Sequence, residues 1–174
     1  MGNAFDGNDY AEGDTFSPVT TATFSSLDIA LSCFVACPDS FNVALDSNSA
    51  DAPSTVLESF TVAGASLGSL GSDNAPIVLT SVLNPVLSAG TQYWITVAAG
   101  TNNSIEWNFN TNGDTSDQAI SIDDAATWFS PSGLTPGAYE VIGTASAAPE
   151  PGSALLLFWG GMLCGAIRCR GWRR

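Results

Sequence analysis

The side chains in this sequence that could run acid–base chemistry are almost all carboxylates. There are 17 Asp and Glu residues, no His and no Lys, and the only cations are Arg168, Arg170, Arg173 and Arg174. A Ser-His-Asp or Ser-Lys system therefore lacks its base, and Cys-His catalysis fails for the same reason. A two-carboxylate glycosidase needs only Asp or Glu. Glu58, Glu106, Glu140 and Asp123 or Asp124 are the residues it could draw on, but nothing in the sequence pairs them. Glu106 alternates with Ile105 and Trp107, as a sugar-binding face would; an exposed strand face is the better explanation. A hydrolase is thus the weakest of the functional readings. The chain is expected not to be an enzyme, and no catalytic residue is assigned.

Cys33 and Cys37 have no second CxxC partner and no His beside them, so a closed zinc site lacks ligands. An oxidising compartment would favour a small disulfide there, clipping the Cys37-Pro38-Asp39 turn between two strands. Two free buried thiols are the alternative. Asn108 to Gly113 begins like a calcium loop, yet the first ligand is Asn and the twelfth position is Ala119. That stretch reads as a strand end entering an Asn-Gly turn. Asp6, Asp9, Glu12 and Asp14 read as a solvated acidic arm rather than a cation site. No metal and no cofactor are expected. Trp94, Trp107 and Trp128, with Tyr93, could stack on the rings of an extracellular polysaccharide, which would make the domain a carbohydrate-binding module. The competing expectation is that they fill the core.

The elements that must position these residues are short strands. Leu27, Ile29 and Leu31 alternate with Asp28 and Ala30; Phe41, Val43 and Leu45 with Asn42 and Ala44. Val56, Glu58, Phe60 and Val62 share a face, which puts Glu58 at an edge or rim. Ile77, Leu79 and Leu83 follow, then Tyr93, Ile95 and Val97, with Trp94 and Thr96 opposite. Ile105, Trp107 and Phe109 form a further set; Ile120 and Ile122 a weak pair; Tyr139 and Val141 close the domain. Period-2 spacing of β-branched and aromatic residues is strand chemistry. Asp46 to Pro53 reads as one long turn, with others at Ser88-Ala89-Gly90, Asn112-Gly113-Asp114 and Pro131-Ser132-Gly133. About eight strands at this spacing predict an antiparallel β-sandwich or jelly roll over residues 1–143.

Charge sorts the remaining function classes. Only 12% of the 174 residues are charged, while 45% are hydrophobic. Residues 1–167 carry 17 acidic groups and no basic one. Nucleic acid is excluded as a partner, because phosphate binding needs Lys or Arg. The segment is likewise repelled by anionic lipid.

After a small-residue linker at 144–148 the chain changes character. Pro149-Glu150-Pro151 stiffens it, and residues 152–167 form a run of 16 residues without charge. The four Arg follow within residues 168–174. Sixteen helical residues span about 24 Å, which crosses a bilayer if the flanking Arg snorkel and the membrane thins. Apolar side chains cover the whole circumference, whereas a core helix would keep a polar face. A transmembrane helix over 152–167 is therefore predicted, with the Arg cluster held in the cytoplasm as a stop signal.

The order Pro-Glu-Pro, apolar segment, Arg-rich end resembles the PEP-CTERM sorting signal, over the last 26 residues. The resemblance implies recognition and processing by an exosortase, a membrane transpeptidase, with Pro149, Glu150 and Pro151 as the recognised element. It also implies an exported protein, held transiently at the inner membrane and finally in the cell envelope or extracellular matrix. More weakly, Ser26 to Leu31, Leu87 to Ile95, Trp107 and Ala138 to Gly143 resemble the choice-of-anchor β-sandwich domains. Such proteins begin with a signal peptide and a first strand. Residues 1–6 show neither a basic nor an apolar leader region, so a leader encoded upstream of Met1 is expected.

Overall fold

The computed structural model describes residues 1–2, 8–131 and 134–145. The predicted sorting motif (Pro149, Glu150, Pro151), the membrane segment 152–167 and the Arg cluster lie outside the described residues.

The described residues form an all-β structure of antiparallel strands. In chain order they are β1 (Ala11–Phe16), β2 (Ala22–Ile29), β3 (Leu31–Cys33), β4 (Ser40–Ser49), β5 (Ala52–Ala63), β6 (Ile77–Thr80), β7 (Val86–Leu87), β8 (Tyr93–Ala98), β9 (Ile105–Trp107), β10 (Gln118–Ser121) and β11 (Tyr139–Ala145). A single 3-10 turn, Gly64–Ser66, follows β5. The large sheet runs β10-β1-β8-β4-β5. A second sheet runs β11-β2-β6, with β7 added to β2, and β3 pairs β9 in a small ribbon.

All three sheets share one core. Phe24, Leu27 and Ile29 come from β2; Val43, Leu45, Ile95 and Val97 from the large sheet; Leu31, Ile105 and Trp107 from the ribbon. The arrangement is consistent with a β-sandwich, in which two inner faces interdigitate. Alternation does what the sequence pattern predicts in β4 and β8. Phe41, Val43 and Leu45 are buried, and Tyr93, Ile95 and Val97 face the same core while Trp94 and Thr96 turn to the other face.

Four local expectations change. First, Asp46 to Pro53 is not a long turn. The hairpin continues to the Ser49–Ala52 pair, and only Ala50 and Asp51 turn, with φ of 52° and 58°. Two successive positive-φ residues make the tight turn whose twist matches paired strands. Second, Val56 does not share a face with Glu58. The register shifts between Leu45 and Asp46, so Leu57 is an extra residue and Val56 flips to the outer face. Third, Glu12 and Asp14 do not belong to a solvated arm: β1 lies inside the large sheet, between β8 and β10, while Asp6 lies outside the described residues. Fourth, the last strand pairs with β2 as far as Ala145↔Ala22, two residues into the segment read as linker. Phe109 and Leu83, expected to be strand residues, are exposed in loops.

Candidate functional site

The outer face of the large sheet carries a hollow of about 280 Å³. Its floor is built from paired positions on β4 and β8: Asn42 opposite Ala98, Ala44 opposite Thr96, and Asp46 near Trp94. Ala44 and Ala98 are small, and that is what leaves room above the sheet. One wall is the start of β5, with Pro53, Ser54 and Val56, the residue that the β5 bulge turned outward. The other wall is the loop after β10, with Asp124, Ala125 and Trp128.

That loop is held by its own side chains. Asp123 accepts from the Ser121 hydroxyl at 2.7 Å, the Thr127 backbone N–H at 2.8 Å and the Thr127 hydroxyl at 2.7 Å. The Thr127 hydroxyl, then Ser121, hold the Asp123 carboxyl below its usual range. The Asp124 N–H reaches the Asp9 carbonyl, and Ile120 and Phe129 exchange both backbone bonds. Asp124 and Ala125 are left in the left-handed region, at φ of 55° and 68°. A non-glycine residue there costs of order 1–3 kcal/mol and persists only where its surroundings over-determine it. On the floor, the Thr96 hydroxyl donates to Asp46 Oδ2 at 2.7 Å. Burial raises the Asp46 carboxyl above its usual range, against the effect of that hydrogen bond.

A second polar cluster lies on the opposite, inner face. Glu12 and Asp14 are two residues apart on β1 and therefore on one side of the strand. Asp14 is 0% exposed, and its Oδ2 accepts the Gly137 N–H at 2.7 Å while Oδ1 has no hydrogen-bond partner among the described residues. Gly137 can deliver that N–H because it packs directly on the Trp107 ring, where a Cβ would collide. Gln118 donates to Glu12. Burial lifts Glu12 to about 7, with the neighbouring Asp14 charge adding to it. Burial also lifts Asp14 to about 7, against the hydrogen bond from the Gly137 N–H. Tyr139, whose hydroxyl donates to the Thr15 carbonyl at 2.7 Å, is pushed up by burial and by Asp14. In the sequence this pair reads as part of a solvated arm, because Ala-Glu-Gly-Asp carries no apolar signal. The one available cue was the strict spacing of two carboxylates ahead of Phe16.

The predicted site residues separate. Trp94 is 0% exposed, with its indole N–H on Asn48, and Trp107 is 2% exposed, with its N–H on the Ala138 carbonyl. Neither ring offers a face to a sugar, because both are consumed by packing. Trp128 alone of the three is only half-buried, on the groove wall. Cys33 and Cys37 form a disulfide with Cα atoms 5.9 Å apart, at the end of β3 and before β4. Glu58 is buried rather than at a rim. It accepts the Ser81 hydroxyl at 2.5 Å, the Val82 N–H at 2.6 Å and the Leu83 N–H at 3.1 Å. Burial pushes its carboxyl up, but these three bonds outweigh it and the net shift is downward. Glu106 sits on β9 and Glu140 on β11 opposite Asp28, while Asp123 is engaged within its loop. The calcium-like stretch is a side-chain-bonded turn, in which Asn110 and Asn112 both accept the Asp114 N–H. Among the described residues no group of three or more Cys, Asp or Glu is placed to hold a metal. No family model, no curated protein and no solved structure matches this chain.

Proposed function

We propose that the chain is a non-enzymatic, exported protein of the cell envelope or extracellular matrix, sorted by its C-terminal tail and processed there by an exosortase. The observation that carries this reading is the tail itself: Pro149-Glu150-Pro151, 16 uncharged residues, then four Arg. In this reading residues 152–167 cross the membrane, with the acidic domain on the far side. The Cys33–Cys37 bridge adds support, since disulfides persist in oxidising compartments.

The test is a fusion of residues 145–174 to a secreted reporter. In a host without an exosortase the reporter should fractionate with membranes; in a host with one it should be released or moved to the surface. Leu157→Arg should abolish anchoring, because a central Arg costs roughly 2.5–3.5 kcal/mol on insertion scales. Glu150→Ala keeps the apolar length and the Arg cluster, so it should spare insertion and block processing. Processing of that variant at the parental rate would leave a plain membrane anchor in place of a sorting signal.

A second reading, a binding module for an extracellular polysaccharide, is favoured by one observation: Trp128 stands on the wall of a polar groove on the outer sheet face.

A further inference from the structure

We infer that this groove is a binding site for a neutral saccharide, with Trp128 as the stacking wall and Asp46 and Asp124 as hydrogen-bond acceptors. The inference rests on the polysaccharide reading and gives it a place and a sugar class.

Three features of the groove carry it. The first is the mixture of groups. A pyranose ring presents an apolar C–H face and a polar rim of hydroxyls, and its recognition needs an aromatic surface beside hydrogen-bonding side chains. The groove supplies one indole, two carboxylates and the neutral polar groups of Asn42, Ser54 and Thr96. The second is size. At about 280 Å³ the hollow sits near the lower end of the ~300–1,000 Å³ usual for small-molecule sites. That suits a sugar unit rather than a folded partner.

The third is preorganisation. Ordering a loop at the moment of binding weakens a complex, and a wall fixed beforehand avoids that loss. Asp123 ties Ser121 to Thr127, the Ile120–Phe129 pair closes the loop behind Trp128, and the Ser130 hydroxyl reaches the Asp51 carbonyl at 2.9 Å. Asp46 is fixed from its other side by Thr96.

Charge then selects the sugar class. Both titratable groups lining the groove are acids, and residues 1–167 contain no Lys, Arg or His to offset them. A uronic acid or sulfated sugar would meet like charge at close range. A quaternary ammonium ligand favours an aromatic cage, whereas only one aromatic ring lines this groove.

The experiment uses the full-length chain in detergent micelles on an array of neutral, acidic and amino-sugar oligosaccharides. Binders are then titrated while the ¹⁵N-indole resonance of Trp128, assigned with Trp128→Phe, is followed. Neutral oligosaccharides should bind and shift that resonance. Trp128→Ala should weaken binding by about tenfold or more. Ser59→Trp should abolish it, because Ser59 is exposed on β5 beside the hollow and an indole there would fill it without touching the core. Its unchanged far-UV circular dichroism would show that the fold is intact. Neutral glycans that bind Ser59→Trp and Trp128→Ala as well as the parent would overturn the site while leaving the polysaccharide reading standing. Binding confined to acidic glycans would overturn the sugar class. Binding confined to amino sugars, or to choline added as a control, would make the groove a cation site and overturn the inference. No binding to any glycan would remove the polysaccharide reading and the inference together.

Discussion

Two acids in this protein are placed where acids are unwelcome. Glu12 and Asp14 face the core from β1, and burial lifts both carboxyls from ordinary values of 4.5 and 3.8 to about 7. A carboxyl whose pKa is raised on folding holds its proton more tightly in the folded state. Its contribution to stability is complete below pH ~4, and it is lost as the pH rises through about 7. Glu58 works in the opposite sense: its lowered carboxyl stabilises the fold above its ordinary value of 4.5 and stops doing so as the pH falls. Unfolding stability should therefore peak near pH 5 and decline toward pH 8 by on the order of a few kcal/mol, and the thermal midpoint should follow it. Asp14→Asn keeps an oxygen for the Gly137 N–H and removes the charge. It should raise the midpoint at pH 8 and flatten the profile. Calorimetry across pH 4.5–8.5 measures both, and a profile of Asp14→Asn parallel to the parent's would refute the assignment.

At the scale of elements, the strands that were legible in the sequence are those with an apolar face: β2, β4, the end of β5, β6, β8, β9 and β11. β1 was not, since its core face carries Glu12 and Asp14, and alternation of charge with Ala and Gly looks like an exposed arm. Val56 was assigned to the wrong face because a bulge is a register event between two strands, and one strand's sequence does not contain it. The tryptophans show the same divide. All three lie among β-formers, yet which ring is buried depends on the partner sheet. The sequence left the Cys33–Cys37 pair open between a bridge and two free thiols, because cysteine spacing and turn chemistry do not carry the redox state; the structure has the bridge. It closes a loop of sequence separation 4, for which chain-entropy reasoning gives about 2 kcal/mol. Cys33→Ser with Cys37→Ser should lower unfolding stability by that order in urea titrations. Mass spectrometry of the unreduced protein should show the peptide carrying both residues lighter by two hydrogens than its reduced form. Free alkylation of both thiols in envelope-derived protein would contradict the bridge.

For the whole molecule, the leading quantity is charge. Residues 1–167 carry 17 acids and no base, so ionised side chains repel throughout the domain and no surface salt bridge relieves them. Salt should stabilise this protein rather than weaken it. Raising ionic strength from about 0.01 M to 0.15 M shortens the screening length from about 30 Å to 8 Å. The thermal midpoint at pH 7.5 should rise by several degrees over that range, and a fall would mean that repulsion is not what limits stability.

The place of β1 has a consequence in time. Its neighbours are β8 and β10, and the Gln118 side chain that meets Glu12 lies 106 residues further along the chain. The β4–β5 hairpin can close as soon as its turn exists, but β1 waits for β8 and β10, far along the chain. The ribosome must therefore deliver most of the domain before the large sheet can be completed. Until then the large sheet lacks its β1–β8 and β1–β10 pairings and the domain cannot lock, the condition a chain must keep if it is to pass through a narrow channel and fold on the other side.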